Sequence, residues 1–180
     1  MIYHVFNRSI ADFKIFNTPA DYNRFVLSMD FFRHRFDEKV GLSNLIYLEK
    51  EIKLKKEDRF LKIIAYCIMP NHYHIIIDDN DNGLMPKYIG NLENSYTRYF
   101  NIHHKRKGPL WESRYRKVVV KNDPYFIHLT RYIHLNPVTA YICDKPETWE
   151  YSSYKEYIRW EENMCEYKYI LPENFSRHNY

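Results

Sequence analysis

An α+β fold, an antiparallel sheet covered on one face by helices, is what this sequence predicts, and three observations predict it. Short apolar runs and longer segments of helical period follow one another in the order β-α-β-β-α-β. Two of those runs are separated only by Met69-Pro70-Asn71, too short for anything but a turn between paired strands. The chain has 180 residues, which suits one domain with room for a buried core.

The first strand is expected over Tyr3 to Phe6. A helix follows from Asp21 to Phe36; Thr18 or Asp21 can start it, and Phe25, Met29 and Phe32 make its core stripe. Strands over Leu61 to Ile68 and Tyr73 to Asp78 form the hairpin, and a second helix runs from Leu84 to Ile102. A last strand spans Arg114 to Val120. Asp123 with Pro124 then opens a helix that Pro137 is expected to close, about three turns in all, with Phe126, Leu129 and Ile133 toward the core. Further short helices are expected around Thr148 to Arg159. This order is the split ferredoxin-like pattern. One domain is expected over 1–160, with an insertion at about 37–57 that is either a hairpin or a loop, and a tail over 161–180.

The hairpin carries the most informative residues, His72 and His74 in MPNHYHIII. Alternate residues of a strand share a face, so both histidines project together while Tyr73 turns away, an arrangement that can clamp a metal ion. A pair of histidines is equally compatible with one core residue and one surface residue. In the last helix Tyr132 and Asn136 are four apart and lie one above the other. They offer a nucleophile and a polar ligand, or else one of 18 tyrosines packing its ring and a helix C-cap.

A third segment, HHKRKGPLWESRYRKVVVK, sets Lys105, Arg106, Lys107, Arg114, Arg116, Lys117 and Lys121 against the single acid Glu112, with Trp111 and Tyr115 interleaved. Cations neutralise phosphates and aromatic faces stack on bases, as single-stranded nucleic acid requires. Strand alternation would put Arg114 and Arg116 on one face, Tyr115 and Lys117 on the other.

These segments together resemble the HUH single-tyrosine transposases (IS200-like), and most closely their REP-associated tyrosine transposase branch. The matching stretches are IYHVFNRS, IFNTPADYNRF, AYCIMPNHYHIII, SYTRYFNIHHKRKGPLWESRYRK, RYIHLNPVTAYI and WEYSSYKEYI, in order from about Ile2 to Ile158. The resemblance implies an HUH endonuclease core with the histidine strand central. It implies a divalent ion, Mg²⁺ or Mn²⁺, held by His72, His74 and Asn136, with Tyr132 as the nucleophile that forms a 5′-phosphotyrosine link. The segment with Trp111 and Arg114 matches the basic patch expected to hold single-stranded or hairpin DNA. A monomer or a homodimer is compatible with relatives of this kind.

Composition agrees. Twenty-seven basic against 23 acidic residues give a formal charge of +4, which permits a nucleic-acid partner. Cys67, Cys143 and Cys165 are odd in number and widely spaced, as in a reduced cytoplasmic protein. No stretch reads as a membrane span or a signal peptide. Three alternatives stand beside the enzyme: an idle, host-adopted DNA-binding protein of the same fold, a ferredoxin-like RNA-binding module, and a structural metal site. His103, His104, His128 and His134 are spare histidines, expected at solvent-facing helix positions.

Overall fold

The computed structural model describes residues 1–34, 56–80, 83–121 and 123–171. Strands β1 (Ile2–Arg8), β2 (Lys62–Met69), β3 (His72–Asp78) and β4 (Arg116–Val119) form one antiparallel sheet in the order β2-β3-β1-β4. Among the described residues the α-helices are α1 (Pro19–Phe32), α2 (Met85–His103), α3 (Asp123–Thr139) and α4 (Tyr154–Arg159). The expected insertion at 37–57 lies outside the described residues except for 56 and 57, as does 172–180.

Local chemistry sets the element ends. Thr18 caps α1 in a box with Asp21, and Pro19 fills the first turn, so the helix starts two residues before Asp21 and ends at Phe32 rather than Phe36. The β2–β3 turn is fixed from outside: Pro70 O accepts from Ile15 N–H and Phe16 N–H, and Asn71 O accepts from Ser9 N–H. β4 is shorter than expected. Glu112 N–H is tied to Arg8 O and Ser113 O accepts from Asn7 Nδ2, so the chain bends through 112–114 before pairing begins at Arg116.

The register sorts side chains between two faces. Tyr3, Val5 and Asn7 stand opposite Ile77, Ile75 and Tyr73, and this face carries α1 and α2. Tyr73 hydroxyl and Asn7 Nδ2 both donate to Glu93 Oε1 of α2 at 2.7 Å, which satisfies a buried acid whose pKa burial raises. Phe16, Phe25 and Tyr96 pack ring against ring beneath them. His4, Phe6 and Arg8 point to the other face with Ile76, His74 and His72.

α3 packs against β2 and runs through Pro137 to Thr139, so the expected stop at Pro137 does not occur. Proline removes one donor, but its fixed φ is helical, and Pro137 is buried where packing holds the turn in place. Ala140 and Ile142 N–H groups then close on Asn136 and Pro137 carbonyls. Beyond α4 the segment expected as a tail packs against the core at Cys165 and Tyr167. Cys165 and Tyr167 are buried, Glu166 N–H bonds Ile63 O, and the buried Arg33 guanidinium donates to Met164 O and Asp30.

Candidate active site

β3 is central, and its pleat puts His72 and His74 on one face with ring centroids 5.1 Å apart. Tyr73 between them is fully buried. His72 Nδ1 donates to Asn71 Oδ1 at 2.7 Å, which leaves its Nε2 lone pair open. His74, 8% exposed, has Nδ1 3.0 Å from His4 Nε2. Burial pushes His72 and His4 down to about 4, and nearby Arg8 adds to the effect on His72. His74 is held well below its ordinary value by burial, with His4, His72 and Arg8 adding to it. All three imidazoles are therefore neutral near pH 7, the state in which a ring nitrogen binds a cation.

α3 brings Tyr132 to this pair. Its ring centroid is 5.9 Å from that of His74 at 77°, and the side chain is 50% exposed, open to a groove of about 530 Å³ along α3 beside Ile127, Arg131 and Leu135. One turn on, Asn136 Nδ2 donates to Tyr132 O at 3.1 Å, so its Oδ1 is the atom left to accept or to ligate. Two neutral imidazoles and an amide oxygen suit a hard or borderline divalent ion with open positions. Among the described residues no group of three or more His, Cys, Asp or Glu is placed to hold a metal.

The basic residues divide. Arg116 pairs with Phe6, on the histidine side of the sheet, whereas Lys117 turns the other way and its ammonium lies 4.8 Å over the Tyr3 ring. Arg114 is exposed in the bend before β4, not in the strand with Arg116. Lys105 and Lys107 are exposed in the loop after α2. Arg106 is spent on that loop, donating to Asn101 Oδ1 at 3.0 Å and Pro109 O at 2.7 Å. Trp111 is half-buried at the core edge: its ring meets Tyr73 edge-on at 5.4 Å and its Nε1 donates to Glu93 O.

Sequence reasoning passed over His4, Arg8 and Asn71. The alternation of His4, Phe6 and Arg8 is visible in β1, but only the pairing of Phe6 with His74 and Arg8 with His72 brings them to the site. It also misplaced His134, which is fully buried with Nε2 2.6 Å from Ser153 Oγ, because α4 and the chain before it cover that side of α3. His103, His104 and His128 are exposed, as expected.

Three comparisons bear on this geometry. A family model described as transposase, IS200-like, matches residues 22–136, from α1 through Asn136. A Haemophilus influenzae protein provisionally named a REP-associated tyrosine transposase is 26% identical over 107 residues, 53% of this chain; the chain spans about 60% of that relative's length. A solved REP-associated tyrosine transposase bound to a REP hairpin superposes with a TM-score of 0.60 at 14% identity, over 97% of this chain and 93% of that one, which shows the shared fold. Among the described residues no helix is long and apolar enough to cross a membrane. With the family model spanning well over half of its length, and its sequence and fold similar to REP-associated tyrosine transposases, the chain belongs to the IS200-like transposase family.

Proposed function

We propose that this protein is a divalent-metal-dependent endonuclease and strand-transfer enzyme for single-stranded DNA, acting at hairpins and passing through a 5′-phosphotyrosine intermediate on Tyr132. The observation that carries this reading is the Tyr132 ring set against His74, beside the second histidine of a central strand. His72 Nε2, His74 Nε2 and Asn136 Oδ1 would hold Mg²⁺ or Mn²⁺. When bound, that ion neutralises the non-bridging oxygens of a phosphodiester and makes phosphorus electrophilic.

Tyr132 Oη attacks phosphorus in line. The Oη–P bond forms as the P–O3′ bond breaks, leaving the 5′ phosphate on the protein and a free 3′-OH on the other fragment. The phenolic proton passes to water, which the half-exposed side chain can reach, and the departing 3′ oxygen takes up a proton. No net bond energy is lost, so a 3′-OH returning to the phosphotyrosine rejoins DNA and regenerates Tyr132. Arg116, Arg114, Lys105 and Lys107, all exposed, would neutralise phosphates of the bound strand.

The test is incubation of the full chain with single-stranded hairpin oligonucleotides from the DNA flanking its own gene, with Mn²⁺ or Mg²⁺, read on a denaturing gel. A protein-DNA adduct that maps to Tyr132, and is absent from Tyr132→Phe and from chelator-treated samples, is expected. An adduct on another tyrosine would move the nucleophile. Tight hairpin binding with no adduct would replace the enzyme by a DNA-binding protein of the same fold.

A further inference from the structure

His4 is 7% exposed and has no part in the chemistry above. It lies diagonally across β1 and β3 from His74, on the same face, with ring centroids 5.1 Å apart and Phe6 packed against both rings. Its Nε2 is 3.0 Å from His74 Nδ1. Two neutral imidazoles so placed share one proton, one nitrogen donating and the other accepting. The direction decides what His74 can do. When His74 Nδ1 donates, Nε2 keeps its lone pair and can bind a cation; when Nδ1 accepts, Nε2 carries the proton and is closed to one. At His72 the equivalent choice is made by Asn71 Oδ1, which can only accept.

We infer that His4 is a positioning residue for the cation site: its Nε2 accepts the proton of His74 Nδ1 and fixes His74 in the tautomer and ring orientation that present Nε2 beside Tyr132. The inference rests on the reading of His74 as a cation ligand. Ligating histidines are commonly oriented through their second nitrogen by a carboxylate or a carbonyl, and losing that partner costs about 10–100-fold in metal affinity. Here a second imidazole fills the role, which requires His4 to keep its own proton on Nδ1.

Two variants test it. His4→Gln places an amide oxygen where Nε2 stood, and His4→Phe keeps the bulk without an acceptor. Long-range ¹H–¹⁵N spectra of the metal-free protein should show His74 as the Nδ1–H tautomer in wild type and in His4→Gln, with the Nε2–H form gaining in His4→Phe. Mn²⁺ titration followed by electron paramagnetic resonance should show about a 10–100-fold loss of affinity in His4→Phe and largely restored binding in His4→Gln. Hairpin affinity in chelator should be unchanged in both. An Nε2–H tautomer of His74 in the wild type overturns the inference, and so does a folded His4→Phe that binds Mn²⁺ as tightly as wild type. Should the wild type take up no Mn²⁺, the ligand reading fails, while the tautomer of His74 still decides what His4 does. If His4→Phe does not fold, the wild-type tautomer and the His4→Gln titration decide it.

Discussion

Acid should destabilise this domain through a histidine outside the site. His134 is fully buried where α3 meets α4 and the chain before it, with Nε2 against Ser153 Oγ and its ring edge-on to Tyr157 at 4.9 Å. Burial pushes its pKa down to about 3 from an ordinary 6.5. The unfolded chain therefore takes up a proton here below pH 6.5, and the folded chain does not. The stability contributed by the neutral ring is complete above pH 6.5 and is lost progressively as pH falls toward about 3. At pH 5 the loss from this one residue is about 2 kcal/mol, a sizeable share of the ~5–15 kcal/mol that holds a typical domain together.

Other groups titrate in the same range, so the whole-protein curve does not isolate it. His4 and His72, both down to about 4, act with the same sign. Glu93 and Glu156, raised chiefly by burial, act with the opposite one, since their contribution is present in acid and lost as pH rises through their folded values. His134→Gln removes the titration and leaves an amide to meet Ser153. Urea denaturation at pH 7 and pH 5 should show the wild type losing about 2 kcal/mol more than the variant between the two. Equal losses would refute the assignment, because they would mean that His134 can be protonated without unfolding.

The remaining predictions concern the face proposed to handle DNA. His72→Ala or His74→Ala should abolish Mn²⁺-dependent cleavage while sparing hairpin affinity; cleavage that persists in excess chelator would remove the cation from the mechanism. Arg116→Ala should weaken single-stranded DNA binding and lower the slope of log affinity against log salt by about one, with Arg114→Ala acting less strongly, and unchanged slopes in both would put the DNA on another surface. Trp111→Ala should cost about 3–5 kcal/mol in urea denaturation and leave that slope intact, because its ring packs on Tyr73; a variant of wild-type stability with weakened DNA binding would return Trp111 to the DNA face.

What could be read from the sequence is what short-range chemistry decides. The histidine pair needs only the pleat of one strand, and Tyr132 with Asn136 only one turn of helix, so both pairings were visible before their surroundings were. The end of α3 was not. Proline's missing donor argued for a stop, but the cost is one hydrogen bond, and burial of Pro137 with the closing bonds from Ala140 and Ile142 outweighs it. Nor does composition tell a cation or ring facing solvent from one bonded to its own loop or core, so the contacts of Arg106 with Asn101 and of Trp111 with Glu93 needed the fold to be seen.

The hidden half of the site depends on register between strands distant in sequence. β1 precedes β3 by about 70 residues, as the His4–His74 separation shows, and nothing local states that Phe6 lies across from His74 rather than one residue either way. A slip of one would turn His4, Phe6 and Arg8 to the helix side and bring Tyr3, Val5 and Asn7 to the histidines. What forbids the slip is on the far face: Asn7 is held by Glu93 and by Ser113 O, and Val5 is buried against the sheet's helical cover. The polar contact between Asn7 and α2 therefore sets which residues of β1 stand beside the histidines, and the histidine face is specified in part by the opposite, helix-covered face.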